Sequence, residues 1–318
     1  MIPVTPVTTR AASRTGLRSI ATGVFAQALV GGSVAVSREL TSAPLFMAQA
    51  IRYTAASAML FALAKTARVP LVRPHGREWL YLVGIAALGL VLFNIAVVRG
   101  VAHAEPAVIA VAVACIPVVL GVVGPLLERR PPRGRILIAA VVVTAGSALV
   151  EGTGRADAVG IGWAAVALVC EAAFTLLAVP VLPRHGAWGV SLHSVWIGAL
   201  MLAVLCVTTE GAGAAGRLTA GDWAAMAYLA VMVTAVAFIL WYSTVAALGA
   251  GAVGLLTGTA PVSAAVVGIA TGGRVPGPAV WGGVVVVVAG LGIGLVRGER
   301  TGRDAAVTGD GTAGTVDG

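Results

Sequence analysis

The sequence predicts an all-α membrane protein in which ten transmembrane helices form two inverted five-helix repeats. Three observations lead there: a composition unsuited to a water-facing surface, ten apolar runs of bilayer length, and an internal repeat whose two copies carry opposite loop charge. Of 318 residues, 58% are hydrophobic and 11% charged, with a mean hydropathy of +0.97. A soluble domain carries about 45–50% apolar and about 25% charged residues, so this chain requires lipid around it.

Apolar runs fall at 19–36, 43–64, 79–98, 105–127, 135–152, 158–179, 189–208, 223–247, 251–271 and 278–296. Each approaches the roughly 20 residues that one helical crossing needs. The third and fourth runs are separated only by RGVAHAEP, and the eighth and ninth only by ALGAGA, so these joints are the shortest signals in the chain. The first run follows Arg10, Arg14 and Arg18 without an Ala-x-Ala cleavage signal, which makes it a first span rather than a removed leader. The expected organisation is a cytoplasmic tail over 1–18, one five-helix repeat over 19–152, a second over 158–296 and a disordered tail over 297–318, too poor in apolar residues to pack.

The net charge of +8 arises from short basic tracts between apolar runs, the pattern of cytoplasmic loops, so no nucleic-acid partner is expected. With the amino terminus inside, the inner segments hold 15 Lys and Arg residues and the outer loops five: Arg38, Arg99, Arg155, Arg217 and Arg274. Both termini are therefore expected in the cytoplasm of a plasma (inner) membrane. Cys115, Cys170 and Cys206 lie in apolar runs without CxxC spacing and read as small core residues.

A shift of 144 residues superposes Pro117, Val118, Val122, Val123 and Gly124 on Pro261, Val262, Val266, Val267 and Gly268. It also brings Arg130 and Pro132 onto Arg274 and Pro276, Ala145-Gly146 onto Ala289-Gly290, and Glu78-Trp79 onto Asp222-Trp223. Five spans are an odd number, so the second copy must enter the membrane upside down. Loop charge agrees: ERRPPRGR holds four arginines, while the corresponding GGRVPGPA holds one.

The chain has no HExxH, no DxxxD or DxD pair and no GKS/T phosphate loop. Its single lysine, Lys65, stands at a helix end, and of His75, His103, His185 and His193 only His193 falls within a span. Retinal, haem and metal chemistry are therefore not expected, and neither a cofactor nor an enzymatic activity is assigned. A polytopic protein with a structural or enzymatic role is the alternative to a transporter.

Ile51-Arg52-Tyr53 in the second span, the Pro117 helix ending in Leu127-Glu128-Arg129, its copy at Pro261 followed by Gly-rich sequence, and Cys170-Glu171-Ala172 occur in one order. Over residues 19 to 296 they resemble the drug/metabolite transporter superfamily, in particular its EamA-type members. The resemblance implies a ten-helix secondary transporter that exports amino acids, other metabolites or toxic compounds. It departs from the family at Gly272-Gly273, where Gly-Glu is common. Glu128, retained in the first copy, reads as a helix-end charge beside Arg129 and Arg130.

Such transporters bind substrate near the midplane between repeats. A charge there costs about 2.5–3.5 kcal/mol on insertion scales, which makes it a functional candidate. Arg52 and Glu171 are the two charges deep in spans, at roughly 14 Å and 20 Å from the outer edge by a rise of 1.5 Å per residue. The repeat shift relates Gln27 to Glu171, Gln49 to His193 and Arg52 to Trp196, and within each copy the last two lie three residues apart on one helix face. These six residues and Asn94 form the expected substrate and proton pathway. Arg52 and Glu171 either pair structurally or serve as carboxylate clamp and proton or amine site. His103, Glu105 and Arg99 are a candidate outer gate. Trp241 and Tyr242 read as an aromatic belt, Gly254 and Gly258 as a close-packing face, and Pro117 and Pro261 as equivalent kinks. The expected partners are the lipid bilayer, a small-molecule substrate and protons as coupling ion, with a homodimer left open.

Overall fold

The computed structural model describes residues 9–271 and 276–295. The long helical segments are α1 Thr9–Gly32, α2 Leu45–Thr66, α3 Glu78–Val101, α4 Pro106–Leu127, α5 Gly134–Glu151, α6 Ala158–Leu176, α7 Leu182–Thr209, α8 Ala220–Leu248, α9 Ala250–Ala270 and α10 Pro278–Leu295. The eight from α3 to α10 are long and apolar enough to cross a membrane. α2 carries Gln49, Arg52 and Lys65, which dilute its apolar content. Among the described residues there is no strand, only one isolated bridge between Ala104 and Ala156. Residues 1–8, Gly272-Gly273, Arg274 and the expected tail over 297–318 lie outside the described residues.

Two boundaries differ from the sequence reading. α1 begins at Thr9, so residues expected as tail are helical. α7 begins at Leu182 and turns at Gly186, whose φ of 63° and ψ of 176° break the helical backbone. A positive φ is open to glycine at no steric cost, so the chain bends here and then resumes its helix.

Two interior irregularities are related by the repeat. A π-helical stretch occupies Ile85–Leu92 in α3 and another Leu229–Ala237 in α8, starting 144 residues apart. Such stretches leave the regular i→i−4 ladder and occur mostly as local bulges at functional positions. Likewise α4 breaks at Ala114-Cys115, and α9 passes through a 3-10 turn over Gly254–Gly258.

Helix pairing interleaves the halves of the chain. α1 packs on α8 and α9, α6 on α3 and α4, α2 on α7, and α5 on α10. The last pair is antiparallel and held by small residues. A Cβ on Gly146 would lie 2.7 Å from the Val287 backbone nitrogen, and one on Gly290 would lie 3.0 Å from that of Val143. Absence of side chains lets these backbones approach closely, the usual means of helix association in lipid. The core between α2, α3, α7 and α8 is filled by Leu60, Leu82, Ile85, Leu90, Leu202 and Tyr242, each fully buried.

Candidate functional site

Arg52 projects from α2 into the bundle and meets the π-helical part of α8. Its Nε donates to Thr234 Oγ1 at 3.0 Å, one terminal nitrogen donates to Gln49 Oε1 at 3.2 Å, and its guanidinium carbon lies 5.1 Å from the Tyr53 ring centroid. No carboxylate lies within ion-pair distance of it among the described residues. A cation held by a hydroxyl, an amide oxygen and a ring face is oriented without being neutralised.

Tyr53 extends the cluster to α3, where Asn94 Nδ2 donates to Tyr53 Oη at 3.2 Å and to the Leu90 carbonyl at 2.6 Å. Leu90 and Thr234 are 144 residues apart, so both π-helical stretches offer a polar group to this cluster from equivalent positions. The α7 counterpart is also formed: Trp196 Nε1 donates to His193 Nδ1 at 3.2 Å, matching the Arg52 to Gln49 bond across three residues. His193 Nε2 bonds the Val72 carbonyl at 3.0 Å, and since Nδ1 accepts from Trp196, Nε2 is the protonated donor.

Glu171 is not brought into an ion pair with Arg52. It lies on the face of α6 that turns toward α8, and within one turn Thr175 Oγ1 accepts from Trp241 Nε1 at 3.1 Å and the Phe174 carbonyl accepts from Tyr242 Oη at 3.1 Å. No hydrogen bond or ion pair satisfies its carboxyl among the described residues. Gln27 is buried in α1 without a hydrogen-bond partner among the described residues, one turn from Gly23 and from Gly31, which pack against Leu256 and Thr244 and against the Ala260 backbone.

Several sequence readings change. Trp241 and Tyr242 are buried at 4% and 0% exposure, so they are core anchors for α6 rather than a belt at a lipid headgroup level. The outer cluster does not use Arg99: Glu105 accepts from Arg155 Nε at 3.2 Å, and His103 Nδ1 is 3.0 Å from Asp157 Oδ2. Asp157 caps α6 by accepting from the Gly160 N–H at 2.8 Å; this bond, and then His103, hold its carboxyl below the usual aspartate range. Glu128 reaches the start of α9, accepting from the Ala250 N–H at 3.2 Å, while Glu210 at the end of α7 accepts from the Phe46 and Met47 N–H groups of α2 at 2.9 and 2.8 Å. Both complete a helix amino terminus from a different helix. Pro117 lies in the first turn of the helix that resumes after the Ala114-Cys115 break, where its missing N–H leaves no helical bond unmade, and the interior proline of this helix is Pro125. Gly254 and Gly258 pack closely on Leu120 and Val143.

Thr234 and Thr175 are invisible in the sequence reading, because a hydroxyl in an apolar run leaves no charge or period to read. A separate groove of 380 Å³ between α3, α4 and α6 is wholly apolar, lined by residues such as Leu88, Val119, Leu168 and Leu176, and contains none of these polar groups.

The EamA-like transporter family matches residues 17–151 and again 158–295. An uncharacterized transporter of Bacillus subtilis (strain 168), YetK, is 26% identical over 249 residues, which cover 76% of each chain. A crystal structure of another protein shares the fold, with a TM-score of 0.74 at 18% identity over 87% of this chain and 96% of its own.

Proposed function

Because the chain belongs to the EamA-like transporter family, and is thus a multi-pass membrane transporter and not an enzyme, we propose that it exports a small carboxylate-bearing metabolite by alternating access between two inverted halves. Two repeats over 19–152 and 158–296, ten spans in all, and a proton as coupling ion complete the reading. The observation that carries it is Arg52: a guanidinium inside the bundle, oriented by Thr234 and Gln49, with no carboxylate beside it among the described residues. An unneutralised cation at that depth is costly and is the natural recognition element for a substrate carboxylate.

The inverted arrangement is supported by the α5 and α10 contact, where Gly146 faces Val287 and Gly290 faces Val143. Shifting either residue pair by 144 exchanges the two contacts, as a two-fold axis lying across antiparallel helices requires. Glu171 is the proton site in this reading, and Gln27, Gln49, Asn94, His193 and Trp196 line the path. Substrate arriving at Arg52 changes the field at the Glu171 carboxyl without direct contact, linking export to proton entry. The test is counterflow of labelled amino acids and organic acids in proteoliposomes, with and without an imposed pH gradient. Wild-type protein should exchange at least one carboxylate, and Arg52→Ala should not. Equal exchange by the two proteins sinks the assignment.

A further inference from the structure

The segment joining α2 to α3 is fastened across the start of α7. Glu78, the first residue of α3, accepts from the Arg184 guanidinium and lies 3.2 Å from His185 Nε2, while its Oε2 also accepts from the His75 N–H at 2.8 Å. Arg184 further donates to His75 Nδ1 at 2.8 Å and to the Arg73 carbonyl at 3.3 Å. Since His75 accepts through Nδ1, it is neutral in this arrangement. About two turns further into α7, His193 holds the Val72 carbonyl. Residues 72–78 are therefore strapped to α7 at four groups, and Trp79, the next residue, packs edge-on against Trp196.

Among the described residues, the repeat-equivalent segment makes no such ion pair. The repeat equivalent of Glu78 is Asp222, and those of Arg184 and His185 are Leu40 and Thr41, neither of which is a cation. Asp222 instead turns back on its own helix, accepting from the Thr219 N–H at 2.8 Å and from Thr219 Oγ1 at 2.9 Å in a capping box. Two acids in equivalent positions thus do different work, one bridging helices and one closing a cap.

We infer that Glu78, Arg184 and His185 form a latch that holds the basic end of the bundle shut, and that a transport cycle opens that end by releasing residues 72–78 from α7. The inference rests on the alternating-access reading for its purpose, but the latch itself is a property of the protein without substrate. Arg184 and Glu78 sit at the surface and keep 41% and 22% of their side-chain area exposed, so the bridge can part without burying a lone charge.

The experiment measures the distance between spin labels at Arg73→Cys and Pro183→Cys, both exposed positions, in liposome-reconstituted full-length protein with Cys115, Cys170 and Cys206 changed to Ala. The parent should give one short distance. Glu78→Gln and Arg184→Gln should each raise a longer-distance population by about tenfold, the size expected from one charge-assisted hydrogen bond. Arg184→Lys, which keeps a cation and donor facing Glu78, should hold the short distance and covers the case in which a single variant fails to fold. An unchanged short distance in folded Glu78→Gln and Arg184→Gln, or an Arg184→Lys variant that stands open, overturns the latch. Counterflow by the parent protein reads the transport assignment separately: a parent that does not transport but whose distances respond leaves the latch standing and removes only its proposed use.

Discussion

Arg52 and Glu171, which the sequence leaves open as a structural pair or as clamp and proton site, form no ion pair with each other among the described residues, and this changes what substitution should do. Breaking a buried pair costs about 3–5 kcal/mol by stranding the remaining charge, but here neither charge depends on the other. Arg52→Leu and Glu171→Leu should each reach the membrane in near-wild-type amount, and the double variant should transport no better than either single one. Arg52→Ala should lower substrate affinity about ten- to a hundredfold, the loss of one or two charge-assisted hydrogen bonds, while Glu171→Gln should retain binding and lose acceleration by a pH gradient. Equilibrium binding beside gradient-driven flux separates the two effects, and a double variant more abundant and more active than its parents would show the charges to be coupled after all. Outside the spans, Asp157 gives a pH signature. Its folded carboxyl lies below the unfolded value of about 3.9, so its contribution to stability is full above that pH and is lost as pH falls through the folded pKa. Asp157→Asn should therefore flatten the acid side of the thermal stability curve below about pH 4 and leave a small, constant loss of cap above it. A variant with the parent's acid limb would place that limb in other carboxyls.

At the scale of elements, apolar run length located the eight helices, α3 to α10, that are long and apolar enough to cross a membrane, because lipid demands one nearly uninterrupted apolar segment per crossing. What it could not locate were features that turn on a single backbone angle or on a hydroxyl. Gly186 hides the true start of α7, since one residue with positive φ splits an otherwise helical stretch. The π-helical stretches at Ile85–Leu92 and Leu229–Ala237 have no compositional mark, yet they supply the Leu90 carbonyl and the Thr234 hydroxyl to the Arg52 cluster. The polar residues proposed for the pathway were legible because ionisable and amide groups are rare in spans. Their partners were not, because Thr234, Thr175 and backbone carbonyls look like ordinary core. The small-residue contact between α5 and α10 was legible only as matched Ala-Gly pairs in the repeat. Gly146→Leu should push the helices apart where a Cβ already meets backbone atoms of Val287 and Gly283 at 2.7 and 2.9 Å. Overpacking of this kind costs about 1–3 kcal/mol. Gly292→Ala, which has open space around it, should be neutral. Thermal unfolding in detergent compares the two, and equal midpoints would mean that the α5 and α10 contact contributes little.

For the whole molecule, orientation is the property that joins charge to mechanism. The helix pairing mixes the two halves, with α1 lodged against α8 and α9 and α6 against α3 and α4, so neither half presents a finished surface without the other. The two ends of the bundle differ: Glu78 straps the end that carries Arg73, Arg77 and Arg184, while Asp222 at the far end closes its own cap. The expectation that the strapped end faces the cytoplasm comes from charge: with the amino terminus inside, the inner segments hold 15 basic residues and the outer loops five, and positively charged short loops stay inside during insertion. Reporter fusions after Arg73, Arg133 and Arg303 should all read cytoplasm, and a fusion within 212–220 should read the outside. The last site is the decisive one, because it lies between α7 and α8, where residues 209–221 hold Arg217 alone while their repeat equivalent, residues 65–77, holds four basic residues. A cytoplasmic reading there would give both copies the same orientation, and with it the two-fold exchange of Gly146 and Gly290 across the membrane plane would have no place in the transport cycle.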